Sequence, residues 1–124
     1  MRRVSRALPL LALLVAGGCH PRQRGEVAPD TDITLDVINH NWLDVTVYVL
    51  HDGQRTRIGT VTGSSSQQFV LPGRLLGQSH QLALFGDAIG SNDFARTETL
   101  NIQPGQRIEW TLETDLRRSS VGVY

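Results

Sequence analysis

The side chains able to do chemistry in this 124-residue chain are few and scattered. They are one cysteine, Cys19, four histidines, His20, His40, His51 and His80, and a run of serines, Ser64 to Ser66. A metal centre needs several His, Cys, Asp or Glu side chains converging on one point, and no two of these histidines stand at a ligand spacing. His40 and His51 flank one strand-like run, which holds them roughly 30 Å apart at 3.3 Å per residue. Asp87, Asn92 and Asp93 share a Gly-containing stretch, but calcium loops use denser acidic spacing, and an Asn-Asp pair is ordinary turn chemistry. Ser64 to Ser66 follow Gly63 without the flanking glycines or the strand-to-helix turn of a nucleophile elbow. Gly86 and Gly90 lead into no helix whose N-terminus would hold a phosphate. The expectation is therefore a protein with no metal, no cofactor and no enzymatic activity. A histidine within hydrogen-bond reach of a serine or carboxylate in a cleft would point instead to a small hydrolase.

Aromatic side chains offer the other chemistry, which is binding. Trp110 shares strand parity with Ile108 and Leu112 and belongs in a core. Tyr48 has the opposite parity to Val47 and Val49, and Trp42 stands in a turn. Trp and Tyr suit interfaces, where an apolar ring and a polar tip are both satisfied. Trp42 and Tyr48 are thus the expected contacts for a stacked sugar or a protein partner, with capping of the sheet edge as the plainer alternative.

The N-terminal 18 residues have a different logic. Arg2, Arg3 and Arg6 precede an apolar run, Ala7 to Val15, broken only by Pro9, and Ala16, Gly17 and Gly18 follow. A charged start, a short apolar stretch and a small-residue ending make a secretory signal peptide over 1–18. The run is too short to span a bilayer, which takes about 20 apolar residues. Ala16-Gly17-Gly18-Cys19 resembles the lipobox of bacterial lipoproteins, departing from it at Ala16, where that family usually has Leu. The resemblance implies cleavage before Cys19 and a diacylglycerol, with palmitate-type chains, on its thiol. It also explains an odd cysteine in an exported chain. One acyl chain binds a membrane only reversibly, whereas the two or three that the family carries anchor it stably. His20 stands where Asp would suggest inner-membrane retention, so the resemblance favours the outer membrane and a cell-envelope location.

Charge narrows the partners. All 12 basic residues are Arg, and three of them precede Cys19, leaving nine against 12 Asp plus Glu, a net of −3 from Cys19 onward. A mildly acidic surface excludes nucleic acid, whose phosphates call for a basic one. It also leaves lipid, rather than headgroup attraction, as the membrane contact.

Residues 19–31 comprise Cys19 and a Pro- and Gly-containing polar stretch. It reads as a flexible tether with a reach of roughly 20 Å. From Asp32 onward the pattern turns to period two, the mark of half-buried strands. Ile33, Leu35 and Val37 alternate with polar residues, and Leu43, Val45, Val47 and Val49 do the same. Asp52-Gly53 is a hairpin signal, with a return strand over 55–62. Further strands are expected over 67–71, 80–85, 95–102 and 107–113. A loop or helical turn fills 74–79, a polar loop 86–94, and Pro104-Gly105 makes a type II turn. Seven short strands with no helix of consequence predict an all-β fold, one small antiparallel β-sandwich over 32–115. A tail over 116–124 follows, frayed by default or pairing through Val121 to Tyr124.

The valine-rich strand ending at Asp52-Gly53, and Ile102-Gln103-Pro104-Gly105-Gln106 before the Trp110 strand, resemble immunoglobulin-like and prealbumin-like sandwiches. Carboxypeptidase regulatory-like domains are one such group. That resemblance implies a fold rather than an activity. Together these features predict a lipid-anchored, non-enzymatic interaction or structural module of the cell envelope, meeting an envelope protein or glycan, with a carbohydrate- or peptidoglycan-binding module using exposed aromatics as the alternative.

Overall fold

The computed structural model describes residues 31–124. The signal segment, Cys19 and nearly all of the tether lie outside the described residues. The rest is an all-β sandwich of two packed sheets, as the alternation implies. Nine strands run in order, β1 (Ile33–Asn39), β2 (Val45–His51), β3 (Gln54–Val61), β4 (Ser65–Leu71), β5 (Gln81–Ala88), β6 (Phe94–Arg96), β7 (Leu100–Asn101), β8 (Arg107–Leu112) and β9 (Ser120–Val123). The first sheet has the order β4-β1-β8-β9; the second has β3-β2-β5-β6, with β7 also on β5.

The β2–β3 hairpin forms where Asp52-Gly53 predicts it. Both residues have positive φ, 48° and 74°, the conformation that lets a two-residue turn follow the strand twist. Pro104-Gly105 also turns as expected. Gln106 N–H donates to Gln103 C=O at 3.1 Å, and Gly105 takes φ 89°.

Four expectations need amendment. The antiparallel rule has one exception, because β1 and β8 pair in parallel. The chain leaves the second sheet after β7 and crosses to the first through the Pro104-Gly105 turn, so β8 starts at the same end as β1 and runs alongside it. The loop expected over 86–94 is shorter, since β5 continues to Ala88. Gly86 there is a core position rather than a breaker. A Cβ on it would lie 2.9 Å from Val45 Cγ1 and 3.2 Å from Trp110 Cη2, so its bareness is what seats the indole.

The strand expected over 95–102 is interrupted. Thr97 Oγ1 accepts from Leu84 N–H at 2.9 Å, and this side-chain bond takes the place of a ladder bond and splits β6 from β7. The tail, finally, is ordered as the alternative had it. Asp115 Oδ1 accepts from Arg117 N–H at 3.1 Å and caps a 3-10 turn, Leu116–Arg118, that leads into β9. That backbone bond is the main reason the Asp115 carboxyl is held below its ordinary value; the Arg117 and Arg118 guanidinium groups add to it against an opposing desolvation.

The core lies between the sheets. Ile33, Leu35 and Val37 face Val45, Val47 and Val49, with Leu84, Ile108 and Leu112 around Trp110, which is 1% exposed.

Candidate functional site

Strand directions give the sandwich two dissimilar ends. β1 rises from Ile33 to Asn39, and the same end as Asn39 carries the loops between β1 and β2, β3 and β4, β5 and β6, and β8 and β9. We call this end the tip. The chain enters β1 at the opposite end, beside the Asp52-Gly53 turn. Seven strand residues separate the two ends by about 23 Å.

Two buried asparagines build the tip. Asn39 is 1% exposed, and its Nδ2 donates to the carbonyls of Leu43 at 3.0 Å, Val61 at 3.3 Å and Thr62 at 3.3 Å. Its Oδ1 accepts from Asn41 N–H at 2.9 Å. Asn41, equally enclosed, donates to Thr114 C=O at 2.9 Å and accepts from Leu43 N–H at 2.9 Å. One side chain thus joins the first two loops, and the other joins the first loop to the β8–β9 connection. Buried amides whose groups are all used rigidify what they connect. The β3–β4 turn closes on this loop at Gly63, where a Cβ would meet the Trp42 carbonyl oxygen at 2.1 Å. Ile89 N–H donates to Asp44 C=O at 2.9 Å, which ties in the β5–β6 loop.

What this wiring holds out is Trp42, 80% exposed. Among the described residues its ring stacks on no other ring. Half-exposed Ile89 lies on the adjoining loop. The wired loop therefore leaves a large apolar side chain in water rather than collapsing around it.

Tyr48 is elsewhere. It lies on the outer face of the second sheet, as its parity implies, and so Trp42 and Tyr48 are not brought together. Tyr48 sits opposite Phe85 on β5, ring centroids 6.1 Å apart, and Phe85 stacks on Phe94 at 5.4 Å. The Arg55 guanidinium lies 4.1 Å from the Tyr48 centroid and 4.6 Å from that of Phe85. A sugar would therefore have to displace Arg55 to reach that side of Tyr48. The Arg55, Phe85 and Phe94 members of this face are absent from the sequence-based expectation. Phe85 carried a legible signal, its parity opposite to Leu82 and Leu84, but nothing in the sequence says that β5 lies beside β2.

The described histidines, His40, His51 and His80, do not converge. Among the described residues no group of three His, Cys, Asp or Glu side chains is placed to hold a metal ion. At the tip, His40 Nδ1 lies 3.5 Å from Glu113 Oε1, both side chains being about half exposed. The nearby serines are otherwise engaged or open to water; Ser65 Oγ donates to Thr62 C=O at 2.7 Å. At the opposite end His51, its side chain 9% exposed, has Nδ1 3.9 Å from Asp52 Oδ2 and Nε2 3.0 Å from Thr56 Oγ1. A hydroxyl–imidazole–carboxylate relay needs the carboxylate hydrogen-bonded to Nδ1 to set the tautomer. At 3.9 Å that bond is not made, and His51 Nδ1 is buried without a partner. Asp87, Asn92 and Asp93 are divided between strand β5 and the loop after it.

No family model and no curated protein matches the chain. Among solved structures it is similar to the NMR structure of a protein from Eubacterium rectale. The two are 17% identical with a TM-score of 0.46, over 84% of this chain and 93% of the other.

Proposed function

We propose that this chain is a lipid-anchored β-sandwich of the bacterial envelope. In this reading it is a non-enzymatic interaction module that meets an envelope protein through the Trp42 loop. The single observation that carries the reading is a largely exposed tryptophan on a loop immobilised by two buried asparagines. Strand direction adds to it. The chain enters β1 at the end opposite the tip, so attachment through a flexible N-terminal tether would leave the Trp42 loop unobstructed. The lipobox-like Ala16-Gly17-Gly18-Cys19 and the outer-membrane assignment rest on sequence, and Cys19 lies outside the described residues.

Two experiments test the two halves of this reading. Cys19→Ser should move the protein from the membrane to the soluble fraction on fractionation; retention in the pellet would refute the anchor. Trp42→Ala should leave the unfolding free energy within about 0.5 kcal/mol of the parent, as for other surface changes. A photo-crosslinking residue at position 42, compared with one at position 53, should capture an envelope protein in intact cells. Trp42→Ala should weaken binding to the captured protein by about 30-fold, a typical hot-spot loss. Equal labelling at both positions, or unchanged binding, would refute the tip.

A second reading, favoured by the same exposed ring, is a glycan- or peptidoglycan-binding module. It predicts co-sedimentation with purified peptidoglycan that Trp42→Ala abolishes.

A further inference from the structure

The outer face of the second sheet carries a hollow of about 550 Å³ next to the Tyr48–Phe85 pair. Its floor is the cross-strand pair Leu50 and Ala83. It exists because Ala83 is small and because β6 ends at Arg96, so no strand continues beside that row. Arg55 lines it from β3 and Arg96 from β6, and amide and hydroxyl side chains such as Gln81 complete the rim.

Both arginines lack a counter-charge. Among the described residues neither has a carboxylate within ion-pairing distance, whereas Arg107 pairs with Asp36 on the outer face of the first sheet and Arg117 and Arg118 pair with Asp115. Asp52 is the one carboxylate at the rim, and its near neighbour is His51. Two guanidinium groups against one carboxylate leave the hollow positive, in a chain whose net charge from Cys19 onward is −3. Arg55 is also pre-positioned. Its guanidinium rests over Tyr48 and Phe85 at 4.1 and 4.6 Å, so it has less freedom to lose on binding.

We infer that this hollow binds an acidic saccharide, a sugar unit bearing a carboxylate. The planar fork of a guanidinium matches a carboxylate in bidentate geometry. An apolar floor suits the C–H face of a sugar ring, and uncharged amides and hydroxyls at the rim suit its hydroxyl groups. The volume falls in the range of about 300–1,000 Å³ usual for small-ligand sites and accommodates one or two sugar rings. None of these residues belongs to the tip, so this site stands or falls independently of the Trp42 loop.

The test is a titration of the full protein with tetragalacturonate, followed by amide chemical shifts. Its methyl ester, which removes the charge but keeps the shape, and a tetraglutamate peptide run in parallel. The acid should perturb the amides of Ala83 and Arg96 and bind at least about 10-fold more tightly than the ester, since a charge-assisted pair is lost. Added salt should weaken it. Arg96→Gln, at a side chain with no partner to lose, should lower the affinity about 10-fold or more, and so should Arg55→Gln. Arg74→Gln should leave it unchanged. Equal binding of acid and ester, tighter binding of the peptide, an unchanged affinity in Arg96→Gln, or no perturbation at roughly millimolar acid would each overturn the proposal.

Discussion

Asn39→Asp is expected to destabilise the domain more than Asn39→Ala, although aspartate is nearly isosteric with asparagine. In the parent, two amide hydrogens of Asn39 serve three carbonyls, those of Leu43, Val61 and Thr62, at 3.0–3.3 Å. Alanine removes these bonds together with the Oδ1 acceptor of Asn41 N–H, and although Thr62 C=O keeps its bond from Ser65 Oγ, the loss costs about 2–4 kcal/mol in sum. Aspartate replaces the donor by an oxygen facing three other oxygens, and ionising it there buries an uncompensated charge. Because a domain of this size is stable by only about 5–15 kcal/mol, urea midpoints should resolve the order parent, alanine, aspartate. If aspartate matched the parent, Asn39 would not be acting as a donor, and the rigidity attributed to the Trp42 loop would lose its basis.

Trp110→Ala has the other large expected effect, a loss of about 3–5 kcal/mol. The indole fills the centre of the sandwich, and removing it leaves a void that the flanking strands cannot close. Gly86 makes the test specific, because the clearances around it are set by the indole and by Val45. Gly86→Ala alone should cost about 1–3 kcal/mol through overpacking. In a Trp110→Phe background, where the ring is smaller, the same change should cost less. Residues in direct contact are expected to couple in this way, and a strictly additive cycle would mean that the indole is not what Gly86 accommodates.

These two sites mark how far the sequence could be taken. Trp110 was legible as core because it alternates in phase with Ile108 and Leu112, and a period of two is imposed by strand geometry itself. Gly86 was misplaced in a loop, since the reason for its missing side chain is an indole 24 positions along the chain. Asn39 and Asn41 resembled ordinary turn residues, and only their partners at Val61, Thr62 and Thr114 reveal them as the structural centre of the tip. Thr97 likewise divides the strand expected over 95–102 through a bond to Leu84 that no local pattern encodes.

Local chemistry therefore determined the all-β class, the Asp52-Gly53 and Pro104-Gly105 turns and the parity of Trp110 and Tyr48. It also carried the expectation of an anchor at Cys19. The class, turns and parity follow from backbone preferences or side-chain alternation within a few residues, and the anchor is what the lipobox resemblance at Ala16 to Cys19 implies. Pairing across sequence was decided by the tertiary structure alone. It made β1 and β8 parallel, set Trp42 at the end opposite the start of β1, laid Arg55 over Tyr48 and Phe85, and ended β6 at Arg96, opposite Phe85, short of Ala83. Strand order and sheet crossing depend on which surfaces bury one another best, a property of the whole chain that no single segment contains.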